Sequence, residues 1–191
     1  TIDWKKNKFN LLDLPGYPDF IGEVHCALRV TDLTIVLVNG VSGVEVGTDL
    51  AWEILEKNMG PRVLFINRLD KEHANFSKVV AHAQEAYGVS AIPVQFPVKE
   101  GETFDAIIDL LTMKKLTFQA DGSGKYKSEE IPADLQGKAE EMRNALIEKI
   151  AEADDAILEK YLNTMELSPD EITQGLRAGI RSSSILAQRR M

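Results

Sequence analysis

What this 191-residue chain lacks narrows its chemistry. It has one cysteine, Cys26, so no disulfide framework can form, and a reducing cytoplasm is the compartment that fits. No apolar run reaches the ~18 residues needed to span a bilayer. The N-terminal stretch "TIDWKKNKFN" has no apolar region of the signal-peptide kind, so no membrane association is expected. Positive charge is scarce: 22 Lys and Arg against 30 Asp and Glu leave a net charge of -8. With no basic stripe to offset phosphate repulsion, binding of free nucleic acid is not expected, while basic protein partners stay open. The three histidines, His25, His73 and His82, have no ligand spacing, and no metal site is expected from them.

What is present reads as a folded α/β chain. "KFNLLD", 8–13, reads as a strand that ends at an aspartate, and "FIGEVHCALRV", 20–30, as a helix with Phe20, Val24, Ala27 and Leu28 on one side. "LTIVLVNG", 33–40, is a β-branched apolar run suited to a parallel strand buried on both faces. A helix over 46–60 follows, with Thr48 as N-cap and Gly60 as C-cap. "PRVLFIN", 61–67, is a second buried strand, and 76–88 a helix that stops at Gly88. Alternating strands and helices predict an α/β sheet with right-handed crossovers.

The character changes near residue 92. Short strands follow, with turns at Glu100–Gly101 and Asp121–Gly124. A long acidic helix is then predicted over 135–161. Leu135, Ala139, Met142, Leu146, Ile150, Ala153, Ile157 and Tyr161 keep one face inward at steps of three and four. "SPDE", 168–171, predicts another helix start, with Ser168 as N-cap, Pro169 at N1 and Glu171 closing a capping box. Ile172, Leu176 and Ile180 continue that helix inward.

Two short motifs are expected at carboxyl ends of strands, the edge where open α/β sheets bind ligands. In Asp13-Leu14-Pro15-Gly16, an aspartate can hold Mg²⁺ through water, and a glycine amide three residues on can meet a phosphate oxygen. In Asn67-Arg68-Leu69-Asp70, the aspartate can accept two hydrogen bonds from a guanine edge while the asparagine fixes the loop. Either motif alone is weak and allows a plain turn, of Asx type in the second case. Their order, with one strand–helix–strand unit between them, is far more specific.

With these motifs, "FNLLDLPGYPDFIGEVHCALRVTDLTIVLVNGVSGVEVGTD", "RVLFINRLDKEHANF" and "IPADLQGKAEEMRNALIEKIAEADDAILEKYL" together make the chain resemble the translational GTPases, elongation factor G and its paralogues most closely. The resemblance runs from about residue 8 to about residue 184. It implies an incomplete GTPase domain over 1–92, an α+β insertion subdomain over 93–184 and a C-terminal tail over 185–191. The fold it implies is a partial P-loop NTPase-type sheet. The cofactors implied are GTP and Mg²⁺. Asp13, Leu14, Pro15 and Gly16 fall on the phosphate side, with Asp13 on magnesium through water, and Asn67, Arg68 and Asp70 on the base side. The partners implied are the ribosome and, through the acidic insertion, the ribosomal stalk protein.

Three departures qualify the resemblance. Tyr17 stands where the family has its catalytic histidine, and a phenol donates a hydrogen bond but cannot become a cation at neutral pH. An aromatic packed on the next helix is the other reading of Tyr17. Arg68 replaces the usual lysine, which is not a conservative change at a stacked site. No G-x-x-x-x-G-K-[ST] occurs, so the loop that cradles the α- and β-phosphates is missing. The family's threonine loop and its final S-A motif are missing too. The expectation is an internal piece of a longer GTPase, without its first strands, first helix and last strand, and inactive alone. The alternatives are a non-enzymatic docking module, a ribosomal-protection GTPase, whose counterpart of 92–184 matches less well, and a flavodoxin-like protein.

Overall fold

The computed structural model describes residues 1–58, 60–88, 91–119 and 121–182, together with the backbone of Leu186–Gln188. The chain opens with two short strands, β1 (Ile2–Trp4) and β2 (Asn7–Phe9), followed by a 3-10 turn at Pro18–Phe20 and helix α1 (Ile21–Ala27). Strand β3 (Thr34–Asn39), helix α2 (Val46–Asn58), strand β4 (Arg62–Asn67), helix α3 (Phe76–Tyr87) and strand β5 (Ala91–Pro93) alternate next. Four strands come after them: β6 (Gln95–Pro97), β7 (Ala106–Asp109), β8 (Lys114–Phe118) and β9 (Tyr126–Glu129). Helices α4 (Ala133–Glu152), α5 (Asp155–Thr164) and α6 (Pro169–Arg181) lead to strand β10 (Leu186–Gln188).

These strands form a parallel sheet ordered β3-β4-β10-β5, an antiparallel meander β6-β7-β8-β9, and the separate hairpin β1-β2. The α/β reading therefore holds for residues 34–93. Val36, Val38, Leu64 and Ile66 share one core with Trp52 and Leu55 of α2 and with Phe76, Val79 and Ala83 of α3. The alternate residues of β3 behave differently: Ile35 and Leu37 are exposed. Side chains of α2 and α3 cover the Val36 and Val38 face, and among the described residues nothing covers the Ile35 and Leu37 face, so one face of β3 is buried, not both as its composition predicts.

Three further expectations are corrected. The strand expected over 8–13 stops at Phe9 and pairs only with β1, so it does not enter the parallel sheet. A tight reversal at Lys5 and Lys6, both at positive φ, closes the hairpin. Beyond Phe9 no strand among the described residues pairs with the backbone, and Leu11 and Leu12 are exposed. The single helix expected over 135–161 is two. The Asp154 carboxylate accepts the amides of Ala156 and Ile157 and starts a new helix, because it satisfies donors that a continuing helix would bond internally. The tail expected over 185–191 contains β10, which lies between β4 and β5 with Ala187 opposite both Val63 and Ile92. A strand therefore follows α6 and joins the parallel sheet over three residues.

The acidic helix nonetheless packs with the predicted face. Ala139, Leu146, Ile150 and Ile157 are buried, and Leu135, Met142, Ala153 and Tyr161 are half-buried. Arg143 ties α4 to the meander by donating to the carbonyls of Leu110 and Leu111. The buried Asp109 of β7 is satisfied by the amide of Gln95 and the backbone amides of Leu111 and Thr112, as burial of a carboxylate requires. The Ser168–Glu171 capping box forms as read from the sequence. No helix among the described residues is long and apolar enough to cross a membrane.

Candidate functional site

The geometry converges on the loop after β4. Asn67 is the last residue of that strand, so the strand delivers it to the carboxyl edge of the parallel sheet. Its side-chain Oδ1 accepts the amide of Arg68 at 2.8 Å, which stabilises a reversal with Arg68 at φ 60°. Leu69 then turns inward and is buried, while Asp70 stays exposed beside the Lys71 ammonium at 3.4 Å. One buried anchor between exposed polar residues fixes which groups face outward.

Neighbouring elements hold this loop at both ends. The Gly40 amide, just past β3, donates to the Asn67 carbonyl at 2.7 Å, and the Gly40 carbonyl accepts the Asn75 amide at 2.9 Å. A Cβ at position 40 would lie 2.8 Å from the Asn67 oxygen and 2.9 Å from Leu69, so this approach needs glycine. The Asn75 side chain caps α3 through the Lys78 amide at 2.8 Å. From the meander, Glu100 Oε1 accepts the Phe76 amide at 2.7 Å, and the Gly101 amide donates to the Leu69 carbonyl at 2.8 Å. Sequence reading marks Gly40 only as a strand end and Glu100–Gly101 only as a turn. The apolar run ending in "NG" is the one local signal for the first, and a partner 24 residues away leaves none for the second.

The other predicted stretch is placed differently. Asp13, Pro15, Gly16 and Tyr17 are exposed and Leu14 is half-buried, in irregular backbone after the hairpin rather than at the end of a buried strand. The strand-end geometry expected for Asp13 is corrected accordingly, because β2 pairs away from the parallel sheet. The Gly16 carbonyl comes within 3.5 Å of where a Cβ on Gly47 would stand, so the stretch passes the start of α2. Tyr17 precedes the 3-10 turn, its carbonyl accepting the Phe20 amide at 3.0 Å, and its side chain is 76% exposed. It does not pack as a buried aromatic against the next helix. Gly40 bonds the Asn67 carbonyl and Gly101 the Leu69 carbonyl, so the loop after β4 is held from the ends of β3 and the meander.

The family model described as the elongation factor Tu GTP binding domain matches residues 1–172. The chain belongs to that family. The match extends through the meander and α4–α5 into the first residues of α6. A crystal structure of a protein from Thermus thermophilus has a TM-score of 0.88 and 27% identity, over 98% of this chain and 28% of that one. This chain therefore spans less than a third of that protein's length. Within this GTP-binding-domain family, the parallel sheet carries the Asn67–Asp70 loop at the edge where such sheets take ligands.

Proposed function

We propose that the chain is part of a translational GTPase of the elongation factor G type, a cytoplasmic protein that binds GTP with Mg²⁺ and hydrolyses it on the ribosome. The observation that carries this reading is the Asn67–Asp70 loop: an asparagine at the end of a parallel strand, a buried leucine and an outward aspartate, locked by Gly40. Asp70 fits guanine because its exposed carboxylate can accept two N–H bonds from one base edge. Asn67 holds the loop in shape, and Arg68 offers a planar cation for the base. On the phosphate side, Asp13 and the Gly16 amide are the candidates. No group of three or more metal-ligating side chains occurs among the described residues. Mg²⁺ takes one or two carboxylates and leaves its other positions to water and phosphates, so Asp13 would hold it through water. When bound, the ion neutralises charge on the transferring phosphoryl group.

The chain's own contribution to the reaction is base selection and orientation. Catalysis in phosphoryl transfer rests on positioning and charge stabilisation, and the G-x-x-x-x-G-K-[ST] loop that supplies most phosphate contacts does not occur in these 191 residues. The 191-residue chain alone is therefore expected not to bind GTP usefully. Calorimetry that finds Mg²⁺-dependent binding with a Kd on the order of micromolar would overturn this. Tyr17 is proposed to orient the attacking water by donating its hydroxyl proton. In the longer protein, Tyr17→Phe is expected to leave GTP affinity unchanged and to lower ribosome-stimulated turnover by about tenfold, the value of one hydrogen bond. Unchanged turnover would remove Tyr17 from the site.

The insertion, residues 93–184, is proposed to dock the ribosomal stalk protein. Support comes from the exposed acids of α4 and α5, among them Glu140, Glu141, Asp155 and Glu159, next to the exposed Leu162 and Met165. A non-enzymatic docking module would use the same surface. It differs in one measurable respect, since a longer protein of that kind would show no GTP turnover with ribosomes.

A further inference from the structure

Acid dominates α4 and α5, yet the charge reverses along α6. Residues 172–191 hold four of the chain's eight arginines, Arg177, Arg181, Arg189 and Arg190, and no lysine, aspartate or glutamate. The buried Ile172, Gly175 and Gly179 fix which side of α6 faces out. On that outer side Asp170, Thr173, Gln174, Arg177 and Arg181 are all exposed. Together with Asp154 of the α4–α5 junction they line an open groove of about 540 Å³. Arg177 and Arg181 stand one turn apart, about 6 Å along the helix axis. Among the described residues neither guanidinium has an ion-pair partner. Asp170 lies in the first turn of α6 and Arg181 in the last, so this face of the helix is acidic at one end and basic at the other. Asp154 spends its carboxylate on the Ala156 and Ile157 amides. Thr173 gives its hydroxyl proton to the Pro169 carbonyl at 2.9 Å, so its oxygen can only accept from a ligand.

We propose that this face of α6 takes the phosphodiester backbone of an RNA, with the Arg177 and Arg181 guanidinium groups on neighbouring phosphates and Thr173 and Gln174 available to a ribose 2′-hydroxyl. The inference rests on the reading of the chain as part of a ribosome-bound protein, since ribosomal RNA is the RNA such a protein meets. Charge complementarity asks for an anion: two unpaired guanidinium groups one turn apart suit a polymer that repeats its negative charge at every unit. A guanidinium binds phosphate through two parallel N–H bonds, which an ammonium cannot do. Acidic side chains of a protein would also satisfy the arginines. They bring no donor for the Thr173 oxygen, however, and would be repelled by Asp170. A nucleotide of RNA combines phosphate oxygens with a 2′-hydroxyl that donates as well as accepts. The net charge of -8 opposes free nucleic acid at long range. It weighs little on a contact made once the protein is held on the ribosome, because exposed charges beyond ~8 Å are screened at physiological salt.

The test uses the longer protein and intact ribosomes, with equilibrium binding measured over a range of salt concentrations. Arg177→Gln combined with Arg181→Gln is expected to weaken binding and to flatten the slope of log affinity against log salt by about 1.4–1.8, the value of two lost phosphate contacts. If the double variant does not fold, each single variant serves, with half the change expected. Arg177→Lys with Arg181→Lys keeps the charge and is expected to keep the slope while binding less tightly. Arginines that serve only the helix dipole or solubility would leave the slope of the glutamine variant at the native value, and that result overturns the proposal. A photoreactive p-benzoylphenylalanine in place of Gln174 gives the second readout. Its crosslink is expected in ribosomal RNA; a crosslink confined to ribosomal protein, or none, overturns the proposal. If the native protein neither binds ribosomes nor turns over GTP faster with them, the ribosome reading falls and this inference with it. Ribosome-stimulated turnover together with an unchanged slope in the glutamine variant removes this inference alone.

Discussion

The Gly40 amide and the Asn67 carbonyl meet at 2.7 Å, joining the ends of two neighbouring parallel strands. The contact leaves no room for a side chain. Gly40→Ala would put a methyl 2.8 Å from the Asn67 oxygen and 2.9 Å from Leu69, and the oxygen is backbone that cannot swing away. Overpacking of this kind costs about 1–3 kcal/mol. The expected result is a loss of stability in that range by urea denaturation, with Asn67 and Leu69 shifted outward. An unchanged midpoint would show that the loop yields freely and is not clamped.

Two helical glycines separate the same effect from its opposite. A Cβ on Gly175 of α6 would stand 2.7 Å from Ile150 Cγ2 and 2.9 Å from the Ile150 carbonyl, so α4 and α6 touch through this residue. Gly137 of α4 has nothing within 4 Å of its missing Cβ. Gly175→Ala is expected to destabilise by about 1–3 kcal/mol, and Gly137→Ala to stabilise by about 0.5–1 kcal/mol through lower chain entropy in the unfolded state. Equal effects at the two sites would refute the close crossing.

Which features are legible depends on how local their causes are. The capping box of Ser168 and Glu171, the strand ending at Asn67 and the inward face of α4 each follow from residues within a turn or two. The misread features depend on distant partners or on interrupted periodicity. Asp13 looks like a strand end because "FNLL" is apolar, but a strand needs a neighbour, and β2 finds only β1. The break at Asp154 is hidden because inward residues continue at three and four steps across it. Three residues of β10 are too few to show a period. The Glu100 cap and the Gly175 crossing join residues far apart in the chain, so no local pattern announces them.

Glu171 supplies a pH test of the α5–α6 junction. The Lys160 ammonium at 2.6 Å, followed by the Ser168 amide at 2.8 Å and hydroxyl at 2.7 Å, holds its carboxyl down to about 2 from an ordinary 4.5. A depressed folded-state pKa means that the stabilisation is complete above the unfolded value and is lost as pH falls through the folded one. The native chain is thus expected to exceed Glu171→Gln in stability near neutral pH, with the gap closing between about 4.5 and about 2. Melting curves across that window check it. A gap that persists undiminished at the acid end would mean that the charge of the carboxylate is not its source.

Arg62 carries the last prediction, at the opposite end of β4 from the candidate site. It is 7% exposed, and among the described residues its Nε and Nη1 have no hydrogen-bond partner. Its guanidinium lies over Trp52 at 4.5 Å, and Trp52 stacks on Tyr87 at 4.1 Å, whose hydroxyl donates to Asp49 at 2.8 Å. Burial lowers the Arg62 pKa, opposed by the Glu56 carboxylate. The ring contact is worth about 0.5–2 kcal/mol, whereas each buried N–H without an acceptor costs about 1–3 kcal/mol. The second effect outweighs the first. Arg62→Met fills similar volume without the stranded donors and is expected to be as stable as the native chain, or more so by about 1 kcal/mol. Arg62→Ala leaves a void beside Trp52 and is expected to lose about 2 kcal/mol. Both are read from urea midpoints at neutral pH. A methionine variant that falls as far as the alanine one would show that the Arg62 charge, and not the volume of its stem, holds α2 against the sheet.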